Sequence, residues 1–386
     1  MNSFPARFCL LFFLFSHLVF SATAIGAPKK QNTDPPITGV HKQVDSYIKA
    51  KVQELAITGL AVAVVKGGKT IFQQGYGLAN LEWQLPVTSH TSFQIASCSK
   101  LLASTLVMKA IYDKKLTLDD SISRFVDNSP ASWQGMQLKH LLTHSSGIKS
   151  FQADPYLSIN QFVDLLKDSS LAYPYGTNQH YVSFDYALVR FILEKVYQKP
   201  YEQILKEVIT EPLGMSDGGY DMEKLNGRLL ETKLVSRKAT TYYGPTNQKI
   251  GYKGIYPSYM YAAGGYFASV NDMASWAIGL DKGILFPPTF LDTMLLGQDS
   301  IKNKLSDFNR VGWIVSATTN KIQYVGHPGG PALGEILRFP KEGYTVIVLS
   351  NDGELLPNLA LAVAGYYIKG LTDKPAITKF KRTGSL

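Results

Sequence analysis

Three pairs in this chain place a serine three residues before a lysine: Ser46 with Lys49, Ser97 with Lys100, and Ser146 with Lys149. On a helix that spacing puts both side chains on one face, a turn apart. A lysine held there takes the hydroxyl proton, and a helix N-terminus favours the negative charge that develops on the oxygen. That is the chemistry of a serine nucleophile and a covalent acyl-enzyme. Ser46 falls inside a charged amphipathic stretch and reads as solvent-facing, while Ser146 precedes Gly147, a poor helix interior. Ser97 follows Phe93-Gln94-Ile95-Ala96 and opens an apolar stretch free of Gly and Pro, the setting for a buried, aimed nucleophile. Two further elements fit such a site. Tyr181 follows a loop marked by Pro and Gly and stands just before a helix. His327-Pro328-Gly329-Gly330 precedes a β-rich run, where glycines let a strand edge approach a substrate closely.

Other reactive residues read as structural. His140 and His144 have the spacing of a metal pair, but no Glu follows His140 and no third ligand is evident. Cys98 adjoins the nucleophile and reads as a small buried filler. Lys66-Gly67-Gly68-Lys69 lacks the full spacing of a phosphate loop and reads as a hairpin turn.

Positioning Ser97 takes a core, and 386 residues with 45% hydrophobic and 18% charged content can build one. Val44, Ile48, Val52 and Leu55 share a helix face. Leu60 to Val65 and Thr70 to Gln74 form a hairpin. From Ser97 to about residue 215 the pattern is helical, with stretches at Leu138 to His144, Ser183 to Val196 and Tyr201 to Ile209, stopped by Pro212-Leu213-Gly214. Strand character returns at Lys321 to Val325, Gly334 to Phe339 and Tyr344 to Leu349, before a last helix over Leu355 to Ile368. Strands at both ends with helices between imply that the terminal segments share one sheet and a helical region is inserted into it. The two parts leave a cleft for ligand.

The first 27 residues read as a secretory signal: Arg7, an apolar run of about 13 residues, short of the ~20 that span a bilayer, then small residues. Residues 28–38 read as a flexible leader, 39–374 as one catalytic domain and 375–386 as a basic tail. Within the domain, 39–96 and 255–374 make the α/β part and 97–254 the helical part. Export to the periplasm or medium follows, with no transmembrane segment in the mature chain. Losing Cys9 with the signal leaves Cys98 without an internal disulfide partner. The net charge of +9 is scattered and carries no nucleic-acid motif.

Phe93 to Lys100 resembles the active-site segment of the class C β-lactamase-like serine hydrolases, relatives of penicillin-binding proteins. Further matches run in order: Leu141-Leu142-Thr143-His144-Ser145-Ser146-Gly147, Tyr181 with Tyr186, Pro212 to Met215, Ala263-Gly264-Gly265 with Trp276, and Gly326 to Gly330. The resemblance implies the β-lactamase/transpeptidase-like α+β fold: an antiparallel sheet flanked by helices, an all-helical region, and the site between them. It implies Ser97 as nucleophile, Lys100 as a neutral amine accepting its proton, and Tyr181 as proton relay. It puts the oxyanion hole at the N–H groups of Ser97 and Gly330, and Ser183, His327 and Gly329 against the substrate. No metal or organic cofactor is implied. Two positions depart from the family pattern. Ser183 stands where β-lactam- and peptide-cleaving relatives carry Asn, and His327 where many carry Lys. If His327 binds a substrate carboxylate as a cation, affinity strengthens as pH falls through about 6.5. Three activities follow as expectations: a peptidase or carboxypeptidase on D-amino-acid cell-wall peptides, an esterase on small acyl esters, or a weakly catalytic binding protein.

Overall fold

Gly-Leu-Ala-Val-Ala-Val-Val is an unbroken apolar run, the pattern of a strand covered on both faces. It forms β1 (Gly59–Lys66), buried up to Val65. Its alternate side chains serve two different cores. Leu60, Val62 and Val64 pack with α1 (Val40–Glu54) and α9 (Leu359–Tyr367), while Ala61, Ala63 and Val65 face the core of the helices inserted between the two sheet segments. The structure is a computed structural model describing residues 39–330 and 334–380; the expected signal, the leader and the end of the basic tail lie outside them. The described residues cluster as one unit.

β1 turns through Gly67-Gly68 into β2 (Lys69–Asn80), as the spacing of the glycines suggested, and its other edge pairs antiparallel with β15 (Tyr344–Ser350). The two ends of the chain therefore share a sheet. Among the described residues that sheet has nine strands, completed by β3 (Leu85–Pro86), β10 (Gln298–Ile301), β11 (Lys304–Asn309), β12 (Ile314–Ala317), β13 (Gln323–Gly329) and β14 (Gly334–Phe339). The order is β10-β11-β12-β13-β14-β15-β1-β2-β3. A separate two-strand pair, β4 (Phe93–Gln94) with β9 (Phe267–Ala268), leads directly to Ser97.

Between these strands come α2 (Ser99–Tyr112), α3 (Leu138–Leu142), α4 (Ile159–Lys167), α5 (Phe184–Tyr197) and α6 (Tyr201–Leu205). α2 is apolar nearly all round and buried, the signature of a central core helix. The inserted region is not helical throughout. It also holds the hairpins β5 (Glu223–Asn226) with β6 (Leu229–Thr232) and β7 (Thr241–Tyr243) with β8 (Ile250–Tyr252). The first turns at Asn226-Gly227, a local hairpin signal on an exposed, charged stretch with no buried face to announce it. α7 (Val270–Asp281) and α8 (Pro288–Leu296) follow, neither anticipated from the sequence. α9 starts at Leu359, later than the periodicity suggested, because Pro357 interrupts the run and the Glu335 carboxylate accepts the N–H groups of Asn358 and Ala360.

Candidate active site

Ser97 lies in a single 3-10 turn, Ala96–Cys98, that feeds α2. Ala96 just before it has φ 46°, a left-handed conformation that non-glycine residues rarely adopt. The kink is held from both sides. Ile95 N–H donates to Tyr266 O at 2.9 Å, and β13 presses on the turn so closely that a Cβ on Gly329 would meet Ile95 O at 2.3 Å. Glycine at 329 is thus required by this approach. Ser97 remains half-buried while its neighbours are buried.

Lys100, one turn along α2, is fully buried. Its Nζ stands 3.4 Å from Ser97 Oγ and donates to Ala263 O at 2.8 Å. It lies 4.9 Å from the Tyr181 ring and 5.2 Å from the Tyr186 ring. Tyr181 reaches across from the loop before α5, its phenol oxygen 2.9 Å from Ser97 Oγ, with 41% of the residue exposed. Ser97, Lys100 and Tyr181 thus converge on one oxygen. The competing pairs do not. Ser46 is exposed and Lys49 bonds Asp45; Ser146 Oγ donates to Asp185, and Lys149 bonds Ser170. Cys98 is buried with its thiol on His327 O, and burial pushes that thiol well above its ordinary range.

β12 pairs β13 from Gln323 to Gly326, so His327 to Gly329 present an edge that β12 leaves unpaired, beside Ser97. Gly330 follows immediately, with open space where a side chain would stand. His327 itself is 2% exposed, and burial pushes its pKa down to about 3. Burial therefore disfavours the cationic imidazole expected to clamp a carboxylate. Its Nδ1 faces Pro328 O at 2.5 Å, and Nε2 is buried without a hydrogen-bond partner among the described residues. Ser183 is the residue before α5, half-buried, and its hydroxyl has no hydrogen bond among the described residues.

Several neighbours have roles that the sequence did not assign, Tyr256 among the tyrosines that it offered for the cleft without a place. Ala263 O holds Lys100, and Tyr256 packs against Gly264 and Gly265, where any Cβ would collide with its ring. The Ala263-Gly264-Gly265 match marked this place without giving it a role. His144, read as structural from its spacing, is fully buried with its ring centroid 4.4 Å from that of Tyr181. His140, its supposed partner, instead accepts the Gln137 N–H at its helix start.

The comparisons with known proteins bear on the family and the fold. The Beta-lactamase family model matches residues 44–363, well over half the chain. PbpX of Bacillus subtilis (strain 168) is 25% identical over 322 residues, covering 81% of this chain and 74% of its own length. Protein flp of Staphylococcus aureus (strain NCTC 8325 / PS 47) is 24% identical over 338 residues, and the match spans 64% of that longer protein. Among solved structures, the octameric penicillin-binding protein homologue from Pyrococcus abyssi superposes with TM-score 0.70 at 23% identity, over 84% of this chain and 77% of its own. D-amino acid amidase from Ochrobactrum anthropi SV3 superposes with TM-score 0.68 at 20% identity, over 83% and 93%. With the fold shared and the family model spanning both sheet segments and the inserted helices, this chain belongs to the Beta-lactamase family.

Proposed function

We propose that the chain is an exported serine hydrolase that forms an acyl-enzyme at Ser97. The observation carrying this reading is the convergence of the Lys100 amine and the Tyr181 phenol on Ser97 Oγ, at 3.4 and 2.9 Å. Ser97 Oγ attacks an acyl carbon while Lys100, in its amine form, takes the hydroxyl proton. That proton passes through Tyr181 to the leaving group as its bond to the acyl carbon breaks. Water then attacks the acyl-serine ester, and the same two groups return a proton to Ser97 as the acid departs. The N–H groups of Ser97 and Gly330 are the candidate oxyanion donors, each worth about 3 to 4 kcal/mol in such sites. Gly329 gives the substrate a strand edge to lie along.

The proposed substrates are amides or peptides of D-amino acids of the cell-wall type. The fold likeness to a D-amino acid amidase supports that class. A neutral, buried His327 attracts a carboxylate weakly, which favours an amide or internal peptide over a terminal residue with a free carboxylate. Ser183 favours a second reading, small acyl esters, because one hydroxyl there cannot grip a substrate amide through both donor and acceptor as Asn does. Purified protein and Ser97→Ala, offered a nitrophenyl ester, a D-amino-acid amide, a D-Ala-D-Ala peptide and a penicillin, separate these readings by rate. Ester turnover without amide or peptide cleavage selects the esterase. No turnover of any of them rejects the hydrolase.

A further inference from the structure

The stretch Thr143-His144-Ser145-Ser146-Gly147 supplies no group to Ser97, yet it lies along the whole loop that carries Tyr181. Ala172 N–H donates to Gly147 O at 2.7 Å, Gly176 N–H to Ser145 O at 2.8 Å, and His180 N–H to His144 O at 2.9 Å. Gln179 Nε2 donates to Thr143 O at 2.6 Å. His180, the residue before Tyr181, is thus tied to the His144 carbonyl, and the Tyr181 ring rests on the His144 ring. Phe308 closes on the imidazole edge-on, at 5.0 Å between centroids.

His144 is in turn fixed from below. It holds φ 54°, and its Nδ1 lies 2.9 Å from Asp185 Oδ2. Asp185 also accepts the Ser146 hydroxyl and sits in the first turn of α5. Both side chains of the His144–Asp185 pair are essentially unexposed. A tyrosine that is 41% exposed has one face open to the cleft, so the opposite face must supply the rigidity that a reacting geometry demands.

We propose that His144 is a positioning residue that holds the Tyr181 phenol on Ser97, acting through Tyr181 and touching neither substrate nor Ser97. This rests on the hydrolase reading above. Its sign is dependence on Tyr181, which general destabilisation does not produce.

The test is the rate at which a fluorophosphonate labels Ser97, followed by intact mass in the parent, His144→Ala, Tyr181→Phe and the double variant. His144→Ala is expected to slow labelling about tenfold in the parent. In the Tyr181→Phe background the same change is expected to slow it less than about twofold. Gln179→Ala, which cuts another tether of the loop and leaves the imidazole in place, is expected to show the same background dependence and serves if His144→Ala does not fold. Thermal unfolding of each variant checks that the folded state is compared. Equal slowing in both backgrounds, or parent-like labelling by a folded variant, overturns the positioning role alone. A parent that does not label at Ser97 overturns the hydrolase reading and this role with it.

Discussion

Ser97, Ser46 and Ser146 carry the same spacing to a lysine, and their surroundings separate them. A helix turn brings Ser97 and Lys100 to one face, so this pair was legible in the sequence. Tyr181 reached the same oxygen from 84 residues away, and its position before a helix together with the family resemblance marked it. His144 and Ala263 were not legible as site neighbours, because a buried ring and a backbone carbonyl gain their roles through tertiary contact. Replacing Tyr181 with Phe should lower kcat by roughly 10²-fold or more while the protein still folds, measured with whichever substrate the parent turns over best. His327 supports a pH prediction. With its pKa pushed down to about 3, the imidazole gains its proton near that pH, well below the ordinary 6.5. KM for a carboxylated substrate should therefore stay flat in its His327 contribution between pH 5 and 8. A KM that improves through pH 6.5 and loses that feature in His327→Asn would contradict the neutral assignment.

At the level of elements, the site depends on how closely β13 meets the turn before α2. Gly329→Ala would drive a Cβ into Ile95 O, and the turn bearing Ser97 must move to admit it. The expected result is a stability loss of about 1–3 kcal/mol by urea unfolding. With it should come a kcat loss of roughly 10²-fold, out of proportion to the stability change. β1 and β15 were readable because strands buried on both faces are near-continuous apolar runs between turn residues, and β14 because its β-forming residues stand between Gly and Pro. β5 to β8 and β10 to β12 were missed for the opposite reason. None is buried along its whole length, their lengths are three to six residues, and neighbouring strands rather than their own pattern define them. α7 is likewise set by tertiary packing around Trp276, whose indole N–H donates to Thr105 in α2.

Across the whole molecule, the two ends of the chain close one sheet around an inserted helical region, and this architecture followed from the order of elements in the sequence. Glu335 joins that sheet to α9. Burial pushes its carboxyl up from 4.5 to about 7 despite two helix N–H donors. The folded chain keeps this proton until about pH 7, while the unfolded chain loses it near 4.5. Stability from Glu335 is thus full at low pH and declines between these values, by up to about 1.4 kcal/mol per pH unit. Urea unfolding from pH 4.5 to 7.5 should show Glu335→Gln gaining on the parent as pH rises; a constant difference would contradict the assignment.

The most direct measurement of the central chemistry is rapid-quench intact mass of the chain mixed with a nitrophenyl acyl ester, followed by peptide mapping. A transient gain of one acyl group on the peptide carrying Ser97, absent in Ser97→Ala along with turnover, is the predicted result. Turnover that survives Ser97→Ala, or an acyl group found on another residue, would contradict it.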